Sequence, residues 1–186
     1  MNILTILKEE GLWDNISISS ILDVGCGISL QSQHWDVPIR VALDIYRPFL
    51  ENIQSSKPHI TLNVDALAME ELFLPESIDM VLLADVVEHL YAYQSFALLE
   101  MAKKIARICV VVATPKDFIP QDIDIWGYGG DRYQTHRSGW TVEGLEYMGY
   151  DVAGRPYTMS DVPRCSTQDV DPNITMLYAV LRKDND

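Results

Sequence analysis

The stretch Ile21-Leu22-Asp23-Val24-Gly25-Cys26-Gly27-Ile28-Ser29-Leu30 constrains this chain more than any other. An apolar run leads into two glycines one residue apart, which is how a buried strand ends in a tight turn. Gly25 can take a backbone conformation closed to residues with a Cβ, and Gly27 lets the main chain approach a ligand. A short helix expected over residues 28–35 would aim its first N–H groups at a negative or polar ligand group. Asp23 leaves a carboxylate at the strand's C-terminal edge, and open α/β sheets bind ligands along that edge.

The rest of the chain repeats the strand-then-turn pattern. Apolar runs at 39–43, 60–64, 78–84 and 108–113 read as further strands, the run at 78–84 being continuous enough for the centre of a parallel sheet. Helical patterns fall between them: from Tyr46, with Pro48 in the first turn, from about Ala66, and over 90–107, where Leu98, Leu99, Ala102, Ile105 and Ala106 form a broad apolar stripe. Thr141 caps a helix over 142–148, and strands at 150–153 and 175–181 close the chain. Residues 2–10 read as an amphipathic helix stopped at Gly11, within an N-terminal cap region of residues 1–19; its functional reading is a cap over the ligand cleft, its plainer and favoured one a cover for a sheet edge or end. Residues 116–140 are long for a connection and carry Phe118, Trp126, Tyr128, Tyr133 and Trp140, which marks a substrate lid. All 186 residues form one domain.

Acidic residues recur where strands end. Asp44 lies about 20 residues beyond the glycine turn, the position from which a carboxylate accepts hydrogen bonds from ribose hydroxyls; its plainer reading is a helix cap. Asp65 follows the third strand and is also placed to cap a helix. Asp85 follows the fourth, ahead of Glu88-His89-Leu90. His89 is read equally as a helix-start histidine with a local hydrogen bond and as a catalytic group.

Asp23-Val24-Gly25-Cys26-Gly27 resembles the S-adenosylmethionine (SAM) pocket of class I methyltransferases, and the wider pattern resembles their type 11 small-molecule group. The dinucleotide fingerprint would need glycine at position 30, where this chain has Leu30. Two departures from the methyltransferase pattern stand out: Ser29 replaces a frequent third glycine, and Lys104-Ile105-Ala106-Arg107 replaces a common Lys-Pro-Gly-Gly turn. The resemblance implies an α/β, Rossmann-like, seven-stranded mixed sheet, six strands parallel and the last antiparallel, with helices on both faces. It implies that Asp23, Gly25, Cys26, Gly27 and Asp85 hold the methionine end of SAM. Asp44 and Ile45 would hold the ribose, and Asp65, Ala66 and Leu67 the adenine. The implied activity is in-line methyl transfer to a small-molecule acceptor, with orientation as the main catalytic contribution. The alternative is a SAM- or adenine-nucleoside-binding module without turnover, acting as a regulatory or partner subunit. Where the acceptor is a hydroxyl or protonated amine, His136, and after it His89, is the candidate base. No metal site is implied.

The formal net charge of -13 argues against a nucleic-acid partner, whose phosphates the general surface would repel. No apolar run is long enough for a membrane helix, and residues 1–10 lack a cationic start followed by an apolar block, so neither a membrane partner nor a signal peptide is expected. Cys26, Cys109 and Cys165 are too widely spaced for a disulfide framework or a zinc pattern, and a reduced, cytoplasmic setting follows as the default. Nothing in the sequence sets an oligomeric state.

Overall fold

The computed structural model describes residues 2–28, 30–156 and 174–183. One seven-stranded sheet runs in the order β3-β2-β1-β4-β5-β7-β6. Its strands are β1 (Ser20–Val24), β2 (Ile39–Asp44), β3 (Ile60–Asn63), β4 (Ile78–Ala84), β5 (Ala106–Pro115), β6 (Asp151–Pro156) and β7 (Thr175–Arg182). β1 to β5 are parallel, with Leu22 opposite Val41 on one side and Val81 on the other. β7 runs antiparallel between β5 and β6. Six strands therefore point one way and one the other, as the resemblance implied.

The α-helices are α1 (Ile3–Glu9), α2 (Arg47–Glu51), α3 (Ala92–Ile105), α4 (Asp131–Gln134) and α5 (Val142–Tyr147). Successive strand residues point to opposite faces, and each face has its own core. On one, Leu98, Leu99, Ala102 and Ile105 of α3 pack with Leu22, Leu83 and Val110. On the other, Ile3, Ile6 and Leu7 of α1 close over Ile21, Met80, Leu82 and Tyr178, beside an edge-to-face pair of Trp13 and Trp35 with centroids 5.6 Å apart. Each such buried aliphatic side chain contributes roughly 1.5–3 kcal/mol relative to exposure. The N-terminal helix thus covers a sheet face rather than an edge.

The helix expected over 28–35 does not form; a single 3-10 turn, Gln31–His34, takes its place. Side chains from elsewhere claim the backbone groups an α-helix would need. The Ser32 N–H donates to Asp23 Oδ2 at 2.8 Å, while the carbonyls of Ser32 and Trp35 accept from the buried Arg40 guanidinium at 3.2 and 2.5 Å. The segment from Ala66 is likewise a 3-10 turn, Ala66–Glu71, opened by Asp65. α3 starts two residues later than expected, after a separate 3-10 turn Val87–His89, and passes without a loop into β5, which reaches Pro115 instead of stopping at 113. Cys165, and most of the connection expected between the last two strands, lie outside the described residues.

Chain direction reverses across the sheet at β1, which has β2 on one side and β4 on the other. The crevice at the C-terminal ends of such strands is where open α/β sheets place their ligands.

Candidate active site

The glycine turn is built as its sequence demands. Gly25 and Gly27 both adopt left-handed conformations, with φ of +60° and +55°. A Cβ on Gly25 would come within 2.7 Å of a Val86 methyl. Asp44 stitches this turn to the end of β2: its Oδ2 accepts from the Gly27 N–H at 2.9 Å and its Oδ1 from the Tyr46 N–H at 2.7 Å. Each oxygen keeps a further lone pair for a ligand. Burial raises the Asp44 pKa, and the two N–H bonds oppose the rise. Asn63 fixes the adjoining backbone by donating to the carbonyls of Asp44 and Ile45 at 2.9 Å each. Asp65 accepts from the Leu67 N–H at 2.9 Å, so it does cap the turn that follows.

A cleft of about 240 Å³ opens above these residues, lined by Gly25, Asp44, Ile45, Asp65, Ala66 and Asp85 on the strand side. His89, Gln94, Tyr133, Gln134 and Arg137 line it opposite. Asp85 holds a left-handed φ of +54°, unusual outside glycine, pinned by donation of its N–H to the Ala113 carbonyl at 2.8 Å.

Five of the expected site residues lie outside this lining, His136 among them. Asp23 is 1 % exposed and faces the segment under the glycine turn, where it accepts from Ser32. Burial pushes its carboxyl up to about 6. Cys26 is buried with Leu30 and Ala42, and its thiol is pushed up by the same burial. Leu67 packs against the core of the α3 face. Gly27 is roofed by an indole: a Cβ there would lie 2.1 Å from Trp126 Cη2.

That indole belongs to the aromatic segment expected as a lid. Asp124 organises it, accepting from the N–H groups of Trp126, Tyr128 and Gly130 at 2.9, 2.7 and 3.0 Å. Trp126 meets the buried Phe49 of α2 edge-on at 4.9 Å, and the Tyr46 hydroxyl donates to the Tyr128 carbonyl at 2.7 Å. The far end is held differently. The N–H groups of Arg137 and Ser138 both donate to the Glu88 carbonyl, and Arg137 Nη1 donates to the His89 carbonyl at 2.7 Å.

This clamp brings the two candidate histidines together, with ring centroids 4.8 Å apart. The His136 ring is 2.6 Å from the Ile119 carbonyl through Nδ1. Burial, with the neighbouring His136, lowers the His89 pKa to about 3; burial also lowers that of His136. Both imidazoles are therefore neutral at neutral pH. Between them and the sheet lies Glu88, 2 % exposed, whose Oε2 accepts from Thr114 Oγ1 at 2.9 Å. Burial and then the nearby Asp85 charge raise its pKa well above the usual carboxylate range. Sequence reasoning passed over Glu88, Asp124 and Arg137 as site residues, and read Trp126 only as one of the lid's aromatics. The one signal available was an acid directly after the apolar pair Val86-Val87.

Comparison with known proteins supports the fold. A family model for a methyltransferase domain matches residues 22–108. A SAM dependent methyltransferase from Archaeoglobus fulgidus has the same fold, with a TM-score of 0.63 at 15% identity over 96% of this chain and 92% of that one. The N-terminal domain of EvdMO1, solved with SAH bound, gives 0.60 at 12% identity, covering 98% of this chain and 79% of the other. The small RNA methyltransferase HEN1 gives 0.61 at 18%, covering 98% of this chain but 25% of its own. A comparison with curated proteins finds no match. The chain shares the fold of SAM-dependent methyltransferases, and its residues 22–108 match a methyltransferase-domain family model. It is an enzyme whose cofactor is SAM.

The cleft suits that cofactor chemically. Leu43, Ile45 and Ala66 offer apolar contact for a base, and Asp44 keeps free lone pairs for a sugar. Carboxylates from Asp44, Asp65 and Asp85 complement the positive charges of sulfonium and ammonium groups. Its volume of about 240 Å³ falls below the roughly 300–1,000 Å³ of ligand pockets.

Proposed function

We propose that this enzyme methylates a small-molecule acceptor bound between the lid and the Val87–His89 turn. In this reading Asp44 and Ile45 bind the ribose of SAM, and Asp65 and Ala66 its adenine. Asp85 and Gly25 take the methionine end, with Asp23, Cys26 and Gly27 shaping the turn behind them. SAM supplies a methyl group already activated on a sulfonium. The protein's task is then to fix the acceptor's orientation and to exclude water, and orientation alone contributes roughly 7–11 kcal/mol.

The observation that carries the acceptor assignment is the lid. Its aromatic end lies on the glycine turn and its other end is bonded to Glu88 and His89, so the segment bounds the cleft at two separate points. The net charge of -13 supports the same choice. HEN1 is a small RNA methyltransferase by name, so an RNA acceptor is the competing reading.

The test measures S-adenosylhomocysteine release with a panel of small alcohols, phenols and amines, and in parallel with short RNA oligomers. Turnover with members of the small panel and none with RNA is expected. Turnover with RNA alone would overturn the assignment. Calorimetry alongside checks the cofactor site: Asp44→Asn loses charge-assisted bonds worth about 1.5–3 kcal/mol, a weakening of SAM binding on the order of 10–100-fold.

A further inference from the structure

We propose that Glu88, His89 and His136 together hold a divalent transition-metal ion, which anchors an oxygen atom of the acceptor. This deepens the functional reading above and rests on it for the identity of the acceptor side. One ligand atom from each of the three residues lies within 4.8 Å of the others. Ligands about 2.1 Å from one ion stand roughly 3–4 Å apart, so the widest pair of the cluster closes by about 1–2 Å, within reach of side-chain rotation.

Orphaned atoms point the same way. Glu88 Oε1 and His89 Nδ1 are both buried and have no hydrogen-bond partner among the described residues, and Glu88 is only 2 % exposed. A neutral carboxyl bonded to the imidazole would satisfy both, but these two atoms do not bond each other. Leaving such groups unpaired costs about 1–3 kcal/mol each, and more for a charge. A cation between them meets both needs at once.

The surroundings are those of a prepared ligand set. The short contact from His136 Nδ1 to the Ile119 carbonyl puts the ring proton on Nδ1 and leaves the Nε2 lone pair free. Glu88 Oε2 is steadied by the Thr114 hydroxyl. Ligating histidines and carboxylates are oriented by outer partners of this kind. Along the chain, no ligand spacing is visible, because Glu88 and His89 are neighbours on one turn while His136 arrives from the lid.

Two imidazoles and one carboxylate suit Zn²⁺, Mn²⁺, Fe²⁺ or Co²⁺ better than Mg²⁺ or Ca²⁺, which prefer all-oxygen sites. Three protein ligands leave coordination positions open, and His89 lies in the cleft lining together with Asp85. The group this site recognises is therefore a hydroxyl. Coordination lowers the hydroxyl pKa, and its proton passes to solvent water. The oxygen pair then forms the bond to the methyl carbon while the carbon–sulfur pair stays on sulfur. The methyl thus goes to oxygen, and the histidines serve as ligands in place of bases.

The test strips the full-length protein with a chelator and titrates it with Co²⁺. One equivalent with the visible bands of imidazole ligation is expected. Glu88→Gln and His136→Gln should each bind at least about tenfold more weakly, a loss at the level seen when supporting groups of metal sites are removed. SAM titration of the same samples shows whether the variants keep their fold. Wild-type protein that binds Co²⁺ without those bands, or no better than either variant, overturns the metal site and leaves a buried water in that space. Wild-type protein that binds Co²⁺ but not SAM instead contradicts the functional reading on which the acceptor role rests.

Discussion

Gly27→Ala is the sharpest test of the lid's position. The residue sits at φ +55°, where a Cβ costs about 1–2 kcal/mol in backbone strain alone. The added carbon would also stand 2.1 Å from Trp126 Cη2 and 2.4 Å from Cζ3, well inside contact distance. Overpacking of this kind typically costs about 1–3 kcal/mol, giving roughly 2–5 kcal/mol for the single variant. Removing the indole as well abolishes the second part and leaves the first. The double variant Gly27→Ala with Trp126→Ala should therefore be about 1–3 kcal/mol more stable than the two single changes would give by addition. Urea unfolding followed by far-ultraviolet circular dichroism measures this without relying on tryptophan fluorescence. Should the lid swing aside in Gly27→Ala instead, the cost is capped at the lid's docking free energy. Amide exchange protection over residues 124–130 is then lost in that variant. Additivity within about 0.5 kcal/mol, together with retained protection, would show that Trp126 does not rest on Gly27.

Asp23 makes a pH prediction. Its carboxyl is raised to about 6 in the folded chain, against about 3.9 when unfolded, so the native state binds the extra proton. The associated stability is fully present below about pH 4 and declines as pH rises to about 6, by on the order of 3 kcal/mol. Asp23→Asn keeps an acceptor for the Ser32 N–H and carries no charge; it should flatten this decline and raise the urea midpoint at pH 7.5, and an unchanged pH slope would contradict the assignment. Asp124→Ala removes the acceptor of three lid N–H groups. It should speed proteolytic cleavage within residues 121–135 while shifting the global melting temperature little, and unchanged cleavage would show that the lid is held by its aromatic contacts alone.

The parallel strands and the acids that follow them were legible along the chain because both depend on local order. Ile78–Ala84 is apolar throughout, and Asp44, Asp65 and Asp85 each stand where a strand gives way to a turn. The absent helix after the glycine turn was not legible. Its backbone groups are taken by Asp23, from the strand before it, and by Arg40, from the strand after it. Helical periodicity over 28–35 carries no trace of that competition. The lid was readable as an aromatic segment, but its seat on Gly27 depends on Phe49 and Tyr46 meeting it across the fold. Glu88 escaped notice for the same reason, since its partners Thr114, Arg137 and Ser138 come from β5 and from the lid.

The two ends of the lid differ in kind. At Glu88 and His89 it is fastened by main-chain and guanidinium bonds; above Gly27 it rests on ring faces and on one tyrosine hydroxyl. A strap pinned at one end and merely resting at the other lifts from the resting end. The glycine-turn side of the cleft is accordingly the door, and in the proposed reading exchange of spent cofactor for fresh is the step that waits for it to swing.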